Sequence, residues 1–175
     1  MQITTNQFQK ELKKHGNDAF PLLISYERLS NYETGSFLWH WHPEVEITLV
    51  QTGEMLYKVN HCTYHLKKGE MLFGNANVLH SGYMIHNQDC HYISITFDPK
   101  LIYGFQQSII YQKYVEPLTQ DFSMPAIHFD FSQSWHTAIL TSFNRIVDWG
   151  ERRPDLYEMD VAMELLTLWK ILLAH

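Results

Sequence analysis

Disulfide bonding has little to work with in this chain. Its two cysteines, Cys62 and Cys90, form no CxxC pair and follow no secretion signal, which reads as free thiols in a reducing compartment. Basic charge is also scarce. Against 19 acidic residues stand 13 Lys and Arg, for a net charge of −6, so these residues lack the basic face that gripping phosphate requires. No apolar run approaches the roughly 20 residues of a membrane helix. The opening MQITTNQFQKELKKHGND is polar and amphipathic, without the apolar block of a signal peptide. A cytoplasmic protein without membrane contact is the expectation. Internal repeats and low-complexity tracts are missing too. The chain does have enough apolar substance for a real core: 45% of its 175 residues are hydrophobic, which suits one domain, or one domain with an appendage. Histidine is the unusual abundance, with 11 copies.

Composition changes character once. From Leu22 to about Phe97, segments such as LLISYERL, SFLWHWH, VEITLVQ, EMLYKVN, CTYHL, EMLFG and CHYISITF are rich in β-branched and aromatic residues. Turn clusters separate them, a spacing that predicts an all-β sandwich or barrel. In YKVNHCTYHL, His61 stands where a two-residue hairpin would favour glycine, which predicts a strained or longer turn. After Pro99 the pattern becomes helical. Trp135, Ile139, Phe143, Ile146 and Val147 share one stripe, with Ser132 or Ser134 as the start signal and Gly150 as the stop. Pro154 and Asp155 are expected in the first turn of the next helix. That helix carries Leu165, Leu166, Leu168, Trp169, Ile171, Leu172 and Leu173, too many apolar residues for one small sheet to cover. The division expected is an N-terminal segment (1–20), a β-barrel (21–100) that a late strand near 124–131 completes, and a helical region (101–175).

The stretch FLWHWHPEVEITLVQTG carries the candidate chemistry. Residues two apart in a strand share a face, so His40 and His42 point together, with Trp39 and Trp41 opposite. Pro43 breaks the alternation, and parity alone leaves Glu44 and Glu46 as alternatives. His80 follows a later strand and an Asn-rich turn. Three imidazoles and a carboxylate suit Mn, Fe, Co, Ni, Cu or Zn, with a position left for water or ligand. The competing reading is an ordinary polar strand surface. His61, His65, His86, His91, His128 and His136 have no partner at ligand spacing and read as surface or hydrogen-bonded histidines. Trp39, Trp41, Tyr57 and Tyr26 could stack on a sugar ring or pack in a core. The two thiols read as small packing residues.

Gly35, His40, His42, Glu46 and Gly53 resemble the first motif of the cupin superfamily, with the spacing after Gly35 one residue short. The second motif is eroded. Gly69 and His80 match, while Asn75, Asn77 and Met84 replace its proline, second glycine and asparagine. The resemblance implies a mainly β fold, a double-stranded β-helix or jelly-roll-like barrel followed by two antiparallel α-helices. It makes His40, His42, Glu46 and His80 the metal set, for Zn, Ni, Mn or Fe, and selects Glu46 over Glu44, which is expected to turn outward. From about residue 20 onward the sequence is similar to the effector-binding and dimerisation domain of AraC-family transcription regulators. The shared features are the HxHPExE opening, the hairpin, the segment ending at His80, and YISITFDP from Tyr92 to Pro99. This second resemblance implies a small-molecule effector, a sugar among the candidates, in a site of His40, His42, Glu46, His80 and Tyr57. It also implies homodimerisation through the C-terminal helices, and DNA contact only through a helix-turn-helix domain that these residues lack. No catalysis is expected. The alternative is a metal-dependent cupin enzyme, a dioxygenase or sugar isomerase. If no metal binds, Glu46 is expected to accept a hydrogen bond from a histidine or a water.

Overall fold

The computed structural model describes the whole chain, Met1–His175. Eight strands come first: β1 (Leu22–Arg28), β2 (Ser36–His40), β3 (Val45–Thr52), β4 (Glu54–Val59), β5 (Cys62–Lys67), β6 (Met71–Gly74), β7 (His80–Met84) and β8 (His91–Phe97). Two short helices, α1 (Lys100–Tyr103) and α2 (Glu116–Thr119), precede β9 (Ala126–Phe129) and the long helices α3 (His136–Arg152) and α4 (Tyr157–Ala174). The strands form two antiparallel sheets, ordered β1-β8-β3-β6-β9 and β2-β7-β4-β5. The expected mainly β barrel with two packed C-terminal helices is the observed architecture. No helix is long and apolar enough to cross a membrane.

Side-chain alternation splits the five-stranded sheet into two faces of opposite chemistry. Val45 and Ile47 of β3, Met71 and Phe73 of β6, and Ile93, Ile95 and Phe97 of β8 face outward. They meet Ile139, Phe143 and Ile146 of α3, and Val161, Leu165, Leu168, Trp169 and Leu172 of α4. Each such side chain, when fully buried, contributes about 1.5–3 kcal/mol relative to exposure, so this outer layer is a principal core. Leu29, Phe37, Val50, Met55, Val59, Leu66 and Leu72 build a second cluster between the sheets. Ser142 and Arg145 of α3 both reach the buried carboxylate of Glu164 and fix the helix pair laterally.

Local details depart from sequence expectation at several places. The β4–β5 hairpin keeps two loop residues, with Val59 opposite Cys62. The left-handed conformation falls on Asn60 (φ 50), a residue type that tolerates it, so no longer turn is needed. His80 follows β6 and the Asn-rich turn as expected, and it also opens β7, a strand not expected from sequence, which pairs with both β2 and β4. Neither serine caps α3, whose first flanking residue is Trp135, and Gly150 lies inside that helix. The stop comes at Arg153 (φ 46), whose N–H bonds to the Trp149 carbonyl. Pro154 and Asp155 belong to the turn, and α4 begins only after Leu156 (φ 69).

Candidate functional site

The three histidines arrive from two strands and one bend. His40 ends β2 directly opposite His80 of β7, after a register shift in the β2–β7 pair. Their ring centroids are 4.1 Å apart. His42 follows the strand, where its carbonyl accepts the Asn77 N–H, and its ring lies 5.0 Å from that of His80. Each imidazole donates its Nδ1–H to a nearby backbone carbonyl: His40 to Leu38 at 2.9 Å, His42 to Glu44 at 3.2 Å, His80 to Val78 at 3.0 Å. That bond leaves the lone pair on Nε2 and turns it inward. Burial holds His40 below its ordinary pKa, and burial with the neighbouring imidazoles holds His80 well below it. The Nε2 atoms of His42 and His80 are buried without a hydrogen-bond partner. The histidine ligand atoms lie within 4.8 Å of one another.

Glu46 reaches the same region from β3. Its carboxylate accepts the hydroxyls of Thr48 (3.0 Å), Tyr57 (3.1 Å) and Thr96 (3.0 Å). The Nε2 of His42 is 3.6 Å away. Burial alone would raise this carboxyl, but His42, with His80 and His40 behind it, holds it well below the usual range. The acceptor role expected of Glu46 is therefore filled mainly by hydroxyls. Tyr57 stands behind Glu46, its ring stacked on His80, and is not on the cavity wall.

The N-terminal segment supplies residues that the sequence did not single out. Glu11 Oε2 is 3.3 Å from His15 Nε2 and 3.9 Å from His40 Nε2. Glu44 does not turn outward. Its Oε2 lies 3.4 Å from His15 Nδ1 and 3.5 Å from His42 Nδ1. Burial opposes charge on His15, but Glu11 and Glu44 on either side raise its pKa to about 9. The arrangement is an acid–imidazolium–acid bridge that ties residues 11–15 to the bend at Pro43.

A cavity of about 480 Å³ opens between the sheets, walled by Gln2, Ile3, Thr4 and Leu12 on the N-terminal side. Its floor is the inward face of the five-stranded sheet: Ser25 and Glu27 of β1, Ser94 and Thr96 of β8, and Glu46. Ser25 pairs with Ser94, which in turn pairs with Thr48, so the polar row is continuous across three strands. Its aromatic wall is Tyr32, Phe37 and Tyr92; none of Trp39, Trp41, Tyr57 and Tyr26, which the sequence leaves open to stacking or to core packing, lines the cavity. Tyr26 is half exposed and bonds to Glu151, and the Trp41 indole donates to the Phe8 carbonyl. Gly82 makes room for Phe37, since a Cβ there would lie 2.3 Å from the ring. The histidines expected to be surface or hydrogen-bonded include His65, His91 and His128, which pair with Glu54, Asp89 and Glu70.

A buried histidine cluster thus lies beside a polar cavity, in a two-sheet barrel backed by helices. Residues 26–136 match the family model of the AraC-like ligand binding domain, and the chain belongs to that family. It is 26% identical over 170 residues to YdeC of Bacillus subtilis (strain 168), described as an uncharacterized HTH-type transcriptional regulator. The match takes in 97% of this chain and 57% of that relative, so the chain spans little more than half of its relative's length. Among solved structures, a predicted oxalate decarboxylase from Thermotoga maritima is 24% identical, with a TM-score of 0.39 over 43% of this chain and 64% of its own. A cupin-2 domain protein from Shewanella frigidimarina is 20% identical, with a TM-score of 0.38 over 44% and 71%.

Proposed function

We propose that this chain is the sensing and dimerisation part of a bacterial transcription regulator. A small polar effector, a sugar among the candidates, occupies the barrel, and DNA contact falls to a helix-turn-helix region outside these residues. The observation that carries this reading is the polar set Ser25, Ser94, Thr96 and Glu46, turned toward a cavity of about 480 Å³. A sheet's inner face is ordinarily apolar. Here hydroxyls that both donate and accept, a carboxylate and three aromatic walls suit a polyhydroxylated molecule. The family match and the regulator named among its relatives support the regulatory role. A cytoplasmic location follows from that role.

The buried Nε2 atoms of His42 and His80 support a divalent metal, Zn, Ni, Mn or Fe, at the histidine cluster. His40, His42 and His80 would hold it, and it would supply a Lewis-acidic anchor for an effector oxygen. Binding, not turnover, is the assigned role, in place of a metal-dependent dioxygenase or sugar isomerase. Dimerisation is assigned to the C-terminal helices, where Met159, Met163, Leu166 and Leu173 of α4 form an exposed apolar stripe.

The test is a thermal-melt and titration screen of the chain against sugars, polyols and sugar acids. A saturable rise in melting temperature is expected, with affinity lowered about tenfold or more by Thr96→Val, which removes one polar partner and unbalances Glu46. An effector that binds yet leaves the dimerisation constant unchanged would remove the regulatory half, because a ligand shifts only equilibria whose two states it binds unequally. Metal-dependent turnover of phenols, diketones or sugars that disappears in His42→Ala would replace this reading with an enzymatic one.

A further inference from the structure

We propose that Glu11, carried by the N-terminal segment, and not Glu46, is the carboxylate ligand of a divalent cation held by His40, His42 and His80. The inference rests on the metal-holding half of the reading above and adds the residue that completes the site. The three imidazoles are already set for ligation. Each has its Nδ1–H on a backbone carbonyl and its Nε2 turned inward, and two of those nitrogens are buried with nothing to bond. Modest ring rotation closes their spacing around one ion, whose bonds to nitrogen are about 2.0–2.1 Å.

Glu46 is poorly placed to join them. Its Oε1 accepts from Thr48 and Tyr57, and its Oε2 from Thr96. Those three hydroxyls do for the carboxylate what water would otherwise do, so Glu46 is satisfied without a cation. Glu11 is committed only to its ion pair with His15. Its Oε2 faces two imidazoles, His15 and His40, and no hydroxyl. With His15 and His42 it also forms a second set of ligand atoms within 4.8 Å of one another, so Glu11 lies within reach of two of the three cluster histidines. The backbone explains this placement. The Glu11 N–H bonds to the Trp41 carbonyl at 2.9 Å, and the Trp41 N–H bonds to the Gln9 carbonyl at 3.0 Å. Residue 11 therefore runs alongside Trp41, between the two histidines of the HxH pair. It does so on a segment outside both sheets, where a carboxylate can shift toward an ion without disturbing a strand ladder.

The consequence is linkage. Gln2, Ile3, Thr4 and Leu12 of the same segment wall the cavity. A cation bound through Glu11 fastens that wall to β2 and β7, and by reciprocity a fastened wall tightens the cation.

The experiment is zinc titration of the full chain, purified without a histidine tag and stripped with chelator. Trypsin cleavage after Lys10, Lys13 and Lys14 is followed with and without zinc. The unmodified chain should bind zinc and become resistant in this segment. Glu11→Gln should lose about tenfold or more in affinity, the scale on which metal-site partners act, and should lose the zinc-dependent protection. Glu46→Gln should lose less affinity than Glu11→Gln, since its carboxylate is outside the ligand set and acts on the cation only through its neighbours. His15→Gln breaks the same ion pair as Glu11→Gln but keeps the ligand, and it should lose less affinity than Glu11→Gln. Glu11→Asp, which keeps the charge and shortens the reach, carries the test if circular dichroism shows Glu11→Gln to be misfolded; weakened binding is expected there too. Unchanged affinity in the Glu11 variants, or an equal loss in Glu46→Gln, overturns the assignment while the metal site stands. An equal loss in His15→Gln makes Glu11 a positioning residue and overturns its role as ligand. No zinc binding by the unmodified chain at about 100 µM, far weaker than structural zinc sites, overturns this inference and the metal-holding half of the proposed function together.

Discussion

The Tyr57 hydroxyl donates to Glu46 Oε1 at 3.1 Å, and that single bond crosses from the four-stranded sheet to the five-stranded one. Tyr57 is buried and Glu46 partly so, and burial beside the negative carboxylate pushes the Tyr57 phenol well above its ordinary range. The phenol therefore stays protonated and remains a donor throughout the working pH range. Removing it leaves the carboxylate one donor short. Tyr57→Phe is expected to destabilise the chain by about 2 kcal/mol, the scale of a hydrogen bond to a charged group. Urea unfolding checks this, and a midpoint equal to that of the unmodified chain would show that the bond does not hold the sheets.

Gly53 closes the β3–β4 turn at φ +76, and a Cβ there would lie 2.3 Å from the Asp89 carbonyl oxygen. Backbone strain and a backbone clash act together, so Gly53→Ala should cost about 2–4 kcal/mol. Gly69 has comparable φ (+88) but open space around it, so Gly69→Ala should carry only the conformational part, about 1–2 kcal/mol. Comparing the two melts separates strain from collision. Equal losses would mean that the carbonyl at Asp89 simply moves aside.

The thiols should differ sharply in reactivity. Cys62 is exposed, whereas Cys90 is fully buried, and burial, with Asp89 and Glu54 adding to it, pushes its pKa up to about 12. Ellman's reagent should label Cys62 in the native chain and reach Cys90 only in denaturant. Raising the pH to about 9 should not change this, because Cys90 remains a protonated, shielded thiol there. Rapid native labelling of both would mean that the interior near β8 opens readily.

The apolar stripe on α4 makes assembly testable. Leu166 and Leu173 are 38% and 42% exposed, and Met159 and Met163 are 62% and 67% exposed. Glutamate at both leucines should convert a dimer to a monomer in sedimentation at micromolar concentration, with the fold retained. A monomeric unmodified chain at that concentration would overturn the helix-mediated dimer.

Much of this fold was legible because its signals are local. The strand segments announce themselves by β-branched and aromatic content, and the stripe Ile139–Phe143–Ile146 is fully buried as its spacing predicts. The expected convergence of His40, His42, Glu46 and His80 could be read from motif spacing. What escaped depends on long-range closure. Glu11 and His15 sit in a segment with no strand or helix period, and only their docking against Trp41 and Glu44 brings them to the histidines. Glu44 was expected to point away because a proline precedes it, but the bend returns its side chain to His15. β7 is hard to see because Ser81 and Gly82 interrupt its apolar content; Gly82 is required there by the Phe37 ring. The end of α3 is set by Arg153 in a left-handed conformation, a choice that composition does not announce.

Along β3 the side chains alternate between two different worlds. Glu46 meets the cavity with Thr48 bonded to its carboxylate, while Val45 and Ile47 meet the helices. Neighbouring residues on opposite faces share a peptide plane, so the sheet works as a drumhead one strand thick. There is no cushioning layer of apolar side chains between what fills the barrel and what seats α3 and α4. A change in pleat or twist at Glu46 is a change in the footing of Ile47, Ile95 and Phe73 at the same instant. In such a construction, if the proposed effector fills the barrel, recognition and its output to the helices would be two sides of one thin wall, and substitutions that stiffen it should blunt both together.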